Sequence, residues 1–152
     1  MFKGVFEAQT VVPASKEEVW NYFQDPVQLE EMTQFPEVEV ESSGKTEEGA
    51  EIRLYLYFGI WKTVWDSVIT YVDAPNAFQD EGKKLPFPFT AWRHTHTFQD
   101  LGPLTGVHDY IEFESVVPAW MVKCFLSGMF KSRKAFVVNQ FSPENKRRSA
   151  FD

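Results

Sequence analysis

Apolar and polar side chains alternate from Phe2 to Val12, with Phe2, Gly4, Phe6 and Ala8 on one side and Lys3, Glu7 and Gln9 on the other. This predicts a first strand with one covered face. The period then lengthens: Val19, Trp20 and Phe23 share one helical face behind Ser15 and Glu18, whose spacing is that of a capping box. Asp25-Pro26 repeats the start signal, and Leu29 and Met32 give a second short helix an apolar side. From Pro36 the period returns to two. Glu37, Glu39 and Glu41 alternate with Val38 and Val40, and a turn is expected at Ser43-Gly44. Ile52, Leu54, Leu56 and Phe58 alternate with Arg53, Tyr55 and Tyr57 until Gly59 breaks the run before a longer strand, Trp61 to Val72. Further strands are expected at about Ala77 to Lys83, Ala91 to Asp100 and Val107 to Val116, separated by Pro86-Phe87-Pro88 and by the stretch from Gly102 to Gly106.

Pro118 opens a final helix that runs to about Phe141, roughly 36 Å at the helical rise. Its first half is apolar nearly all round, Lys131, Arg133 and Lys134 wet one side of the second half, and Gly128 is a weak point. A short polar tail follows from about residue 142. The order strand, two short helices, six strands, long helix predicts an α+β domain spanning 1–152. In it a seven-stranded curved antiparallel sheet has its concave face crossed by the C-terminal helix.

Composition supports one folded domain. Of 152 residues, 43% are hydrophobic and 24% charged, the net charge is −7, and fifteen Phe with five Trp bring large apolar areas that need a core, a ligand or a partner to cover them. The acidic balance argues against nucleic acid, which demands clustered Lys and Arg. Cys124 is the single cysteine, so neither an intrachain disulfide nor a thiolate-built zinc site is available, which fits a reducing cytoplasm. In its apolar helical setting Cys124 reads as inert packing. No export signal and no stretch long enough for stable membrane insertion is found, so a cytoplasmic location is expected.

The chain resembles the SRPBCC superfamily, the helix-grip fold of the major birch pollen allergen, START lipid-transfer domains and polyketide cyclases. The resemblance rests on Val12-Pro13-Ala14-Ser15 leading into Glu18 to Phe23, then Asp25-Pro26, Gly49, Trp65, Phe78-Gln79-Asp80 and Trp92 to Phe98. It implies a helix-grip fold and, as a class, either binding of lipid-like, steroid, hormone or polyketide molecules or cyclase chemistry. Neither a START-type sterol determinant nor a full cyclase pattern is present.

The candidate chemistry lies in Trp92-Arg93-His94-Thr95-His96-Thr97-Phe98. Strand alternation puts Trp92, His94, His96 and Phe98 on one face and Arg93, Thr95 and Thr97 on the other. If the flanking loops join neighbouring strands, Asp80 lies opposite or diagonal to His94, and Asp109 lies near His96. Buried acids and imidazoles need each other, so an Asp-His network is expected. Its simplest reading is a satisfied polar pair in a core. A second is a set of ligand-orienting anchors, a third an acid-base pair, and a fourth, a metal site, has only a His-x-His spacing behind it.

The ligand-binding set is therefore His94, His96, Asp80 and Asp109, with Trp92, Phe98, Trp65 and Phe58 as apolar wall. Phe113, Trp120, Phe125 and Met129 complete that wall from the last strand and the long helix. Trp61, Trp65 and Trp120 are candidates for stacking on a planar ligand, though core positions are the commoner fate of such rings. The loop Leu85 to Phe89 either closes a pocket mouth or folds both its Phe rings onto the core. His108, Asp66 and Arg93 read as surface.

The leading expectation is binding of a small, largely apolar molecule between sheet and helix, with no cofactor and no metal. Two others stand beside it: a cyclase- or dehydratase-type enzyme with His94, His96, Asp80 and Asp109 as its acid-base network, and an interaction module with a packed core. A protein partner or homodimer is compatible with each.

Overall fold

The computed structural model describes residues 1–41 and 45–151; the turn expected at Ser43-Gly44 lies outside them. The chain runs β1 (Phe2–Val12), α1 (Lys16–Phe23), α2 (Gln28–Met32), β2 (Glu37–Glu41), β3 (Glu51–Phe58), β4 (Trp61–Asp73), β5 (Ala77–Lys84), β6 (Phe89–Asp100), β7 (Thr105–Ser115), α3 (Ala119–Gln140) and α4 (Pro143–Phe151). The strands form one antiparallel sheet in the order β1-β7-β6-β5-β4-β3-β2. Each neighbouring pair from β2 to β7 is a sequential hairpin or meander, and β1 closes against β7, so α1 and α2 bridge the two ends of the sheet.

Local chemistry accounts for the boundaries. Ser15 Oγ accepts from the Glu18 backbone N–H at 3.3 Å and starts α1, while Asp25 Oδ1 accepts from Val27 N at 3.1 Å just ahead of α2. Gly59 turns β3 into β4 with φ at +63°, a left-handed conformation that side chains disfavour. Pro118 precedes the first turn of α3, where its missing N–H costs nothing. The polar tail expected from about 142 is helical: Ser142 Oγ accepts from Asn145 N at 3.4 Å, Pro143 occupies the first turn, and Lys146 reaches Glu18 Oε2 at 3.2 Å.

The covered face holds two apolar clusters. One joins Val12, Val19, Trp20, Met32, Ile69, Phe78, Phe98, Val107, Val137 and Phe141 beneath α1, α2 and the end of α3. The other joins Ile111, Phe113, Val122, Leu126 and Phe130 beneath the first half of α3. The helix packs chiefly on β1 and touches β7 and α2 more lightly, leaving a space over the middle strands. Among the described residues no helix is long and apolar enough to cross a membrane.

Candidate functional site

The inner face of β6 reads Trp92, His94, His96, Phe98, and that of β7 reads Phe113, Ile111, Asp109, Val107. Trp92, Ile111 and Phe113 belong to or pack on one apolar cluster, and Phe98 and Val107 belong to the other. The two imidazoles and Asp109 fill the seam between them. The registers are those expected, with Asp80 opposite His94 and Asp109 opposite His96. The hydrogen bonds, however, run diagonally. His94 Nε2 lies 2.8 Å from Asp109 Oδ1, and His96 Nε2 lies 3.2 Å from Asp80 Oδ2. Strand twist brings diagonal neighbours together across these pairs.

His94 and His96 stack with ring centroids 3.7 Å apart, and Phe78 stacks on the other face of His96 at 4.1 Å. His96 Nδ1 meets Asp109 Oδ1 at 3.2 Å as an ion-pair contact outside ideal hydrogen-bonding geometry. Burial holds the His94 pKa below the ordinary histidine value, and the charge on His96 adds to that, outweighing its bond to Asp109. Burial acts the same way on His96, but the two carboxylates Asp109 and Asp80 together overcome it and raise its pKa. For Asp109 the opposing influence of burial is likewise overcome by the two imidazoles, which hold its carboxyl well below the usual range. One imidazole is thus pushed toward its neutral form beside another pushed toward its charged form.

A cavity of about 470 Å³ opens from this seam. Its wall is apolar, drawn from Leu54, Leu56, Phe58, Trp65, Phe89, Trp92, Val122, Phe125, Leu126 and Met129 among others, and its polar lining includes Asp80, His94, His96, Thr33 and Arg133. Phe87, Met121 and Phe125, the strongly exposed part of the lining, mark the opening. Trp65 satisfies its indole N–H on Ser67 Oγ at 2.8 Å and meets Trp92 edge to face at 4.9 Å.

Of the residues expected at the site, His94, His96, Asp80, Trp92, Trp65, Phe58, Phe125 and Met129 line the cavity. Four expected residues do not. Asp109 is buried behind the two imidazoles and hydrogen-bonded to His94. Phe98 is only 2% exposed and packs against Trp20 and Phe23, because α1 covers that end of β6. Phe113 spreads over Gly4 of β1, where an added methyl carbon would stand 2.5 Å from the ring. Trp120, in the first turn of α3, is 67% exposed and so faces away from the cavity.

Three further readings change. Cys124 is exposed on α3 rather than packed. Trp61 is exposed at the β3–β4 turn. The Pro-Phe loop divides: Phe89 turns inward against Trp65 and Trp92, whereas Phe87 stays 80% exposed at the opening. His108 meets Glu7 at 3.3 Å on the outer face, while Asp66 pairs with Arg53 and Arg93 with Glu81, each at 2.8 Å.

Arg133 is the residue that sequence reasoning missed. Read as part of a wetted face, it instead reaches into the cavity, donates from Nη2 to Thr33 Oγ1 at 3.0 Å and lies 4.8 Å from the Phe130 ring centroid. The signal was its position: Val122, Leu126, Phe130 and Val137 are the buried residues of α3, and Arg133 fills the gap in that helical stripe. Burial lowers its pKa, offset in part by Asp109, Asp80 and Tyr22.

Chemically the seam offers a proton donor and acceptor side by side and anchors for polar groups of a bound molecule. Asp80, His94 and His96 present ligand atoms within 4.8 Å of one another. A tetrahedral zinc with bonds near 2.0–2.2 Å sets its donors about 3.4 Å apart, which His96 Nε2 and Asp80 Oδ2 at 3.2 Å already meet, but the in-plane lone pairs of two stacked imidazoles do not converge on one point. These residues therefore suit hydrogen bonding better than metal ligation.

Comparison with solved structures places the architecture. A START superfamily protein from Mycobacterium smegmatis superposes with a TM-score of 0.74 at 17% identity, covering 90% of this chain and 96% of the other. The major latex-like protein 151 of Panax ginseng gives 0.73 at 11%, covering 94% and 100%. An aromatase/cyclase from a Streptomyces species gives 0.69 at 15%, covering 97% and 96%. No curated protein matches the sequence. The family model described as polyketide cyclase / dehydrase and lipid transport matches residues 3–140, nearly the full length, and the chain therefore belongs to that family within the SRPBCC superfamily.

Proposed function

We propose that the protein binds a small, largely apolar molecule in the cavity between β3–β6 and α3. The observation that carries this reading is a wall almost wholly apolar around about 470 Å³, interrupted by one group of polar anchors. That size and lining suit a small-molecule site. Each 100 Å² of apolar ligand surface removed from water contributes about 2.5 kcal/mol before the costs of association. Aromatic surfaces supply the affinity, while Asp80, His94 and His96 orient polar atoms. Native mass spectrometry of freshly purified protein, followed by solvent extraction, is expected to reveal a bound small molecule. Lack of any adduct, with unchanged tryptophan fluorescence across a panel of fatty acids, sterols and polycyclic aromatics, would overturn the reading.

A second reading has its own support. Neighbouring imidazoles whose environments push their basicities in opposite directions are the arrangement expected of an acid and its paired base. In a cyclase or dehydratase reaction His94 would accept a proton and His96 donate one, with Asp109 and Asp80 holding the rings. Turnover that survives both His94→Gln and His96→Gln would exclude it.

A further inference from the structure

Arg133 sits where the α3 stripe calls for an apolar side chain, and its surroundings leave it short of partners. Its Nε is buried with no hydrogen-bond partner, and its Nη2 meets only the neutral Thr33 hydroxyl. Among the ion pairs of the described residues none includes Arg133, so no carboxylate stands within 4 Å of it. Asp80 and Asp109 are near enough to be felt but are engaged by His96 and His94. A guanidinium remains charged and offers five donors in a planar fork. Leaving the buried Nε of this half-buried guanidinium without an acceptor is costly, and that orphan donor calls for an explanation.

We propose that the ligand carries an acidic head group, a carboxylate, which seats on Arg133 beside Thr33, while its apolar remainder extends toward Trp65, Trp92 and Phe125. This inference rests on the cavity being a ligand site. A carboxylate accepts two parallel hydrogen bonds from a guanidinium edge, whereas a hydroxyl takes one uncharged bond, so the site separates an acid from the alcohol of equal chain length. Phe125 and Arg133 lie eight residues apart on α3, about 12 Å of helical rise, which leaves room for a medium-length chain between head and opening. The head lies at the α2 end of the cavity because Thr33 caps α2.

The test compares dodecanoate with 1-dodecanol on the full chain at pH 7, by calorimetry and by the fluorescence of Trp65 and Trp92. Wild-type protein is expected to bind the acid at least tenfold more tightly than the alcohol. Arg133→Gln should lower dodecanoate affinity tenfold or more and dodecanol affinity threefold at most, and Arg133→Lys should fall between, since an ammonium lacks the fork. If dodecanol binds and dodecanoate binds no better, the acid assignment fails and the apolar site stands. If neither binds, the assignment of a chain with an acidic head is refuted, while the cavity reading is decided separately by the adduct and ligand-panel test above. Equal losses for both molecules in Arg133→Gln, at an unchanged melting temperature, would make Arg133 a packing residue and overturn the proposal. The wild-type comparison decides even where a variant does not fold.

Discussion

His94 and His96 differ in little but position, yet the fold drives their protonation apart, and this has a sign that can be worked out. An unfolded histidine titrates near 6.5. For His94 the folded pKa lies lower, so between that value and about 6.5 the unfolded chain binds more protons and stability rises with pH. For His96 the folded pKa lies higher, so its contribution is complete below about 6.5 and is lost as pH rises through the folded value. Thermal scans from pH 5 to 8 should therefore show a maximum near 6.5. His94→Gln should flatten the acid limb and His96→Gln the alkaline limb; parallel profiles for wild type and both variants would refute the assignment. Strand parity alone made this pair legible, because a period of two fixes the face of every residue once the strand is placed. It could not say how far along the face the cavity extends. Phe98 and Phe113 have the right parity, but α1 covers one and β1 abuts the other. Arg133 was masked by its charged neighbours Lys131 and Lys134, although its place in the Val122, Leu126, Phe130, Val137 series marks it as inward.

The long helix is unbroken from Ala119 to Gln140, and Gly128 does not serve there to make room for a close neighbour. A methyl group added there meets nothing within 4 Å. Gly128→Ala should accordingly raise unfolding free energy by about 0.4–1 kcal/mol, read from denaturant midpoints at constant slope. A loss of stability would mean that the backbone at that point is under a constraint not visible in its contacts. Strands and helices were legible to within a residue or two wherever apolar residues kept a clean period. Helix α4 was not, because its mean character is polar all round and no apolar stripe announces it. The cap was nonetheless written in Ser142-Pro143-Glu144, a start signal that capping chemistry recognises without help from hydrophobicity.

The order of elements was enough to give the architecture, since a meander of sequential strands with one long terminal helix has few compact solutions. The cavity was harder to foresee: its volume depends on where α3 lands across a curved sheet, and α3 lies toward β1 and β7, away from β3 and β4. That offset makes Phe87, 80% exposed on the facing loop, the side chain best placed to cover the opening. Phe87→Ala should speed release of a bound fluorescent fatty acid severalfold in stopped-flow displacement, with stability within about 0.5 kcal/mol of wild type. Unaltered release would assign the opening to other groups. The polar seam has one more effect, on how the strands find their alignment. Sliding β6 by two positions in one direction keeps every face correct yet sets Asp109 against Phe98 on the β7 side, and a slip that sets Asp80 against Trp92 does the same on the β5 side; the opposite slips leave Asp109 facing His94 and Asp80 facing His96. Each of the first two slips strands an acid against an apolar ring, a penalty that hydrophobic patterning alone would never impose. The two acids thus act as a key cut into an otherwise greasy lock, barring those slips before anything enters the sheet.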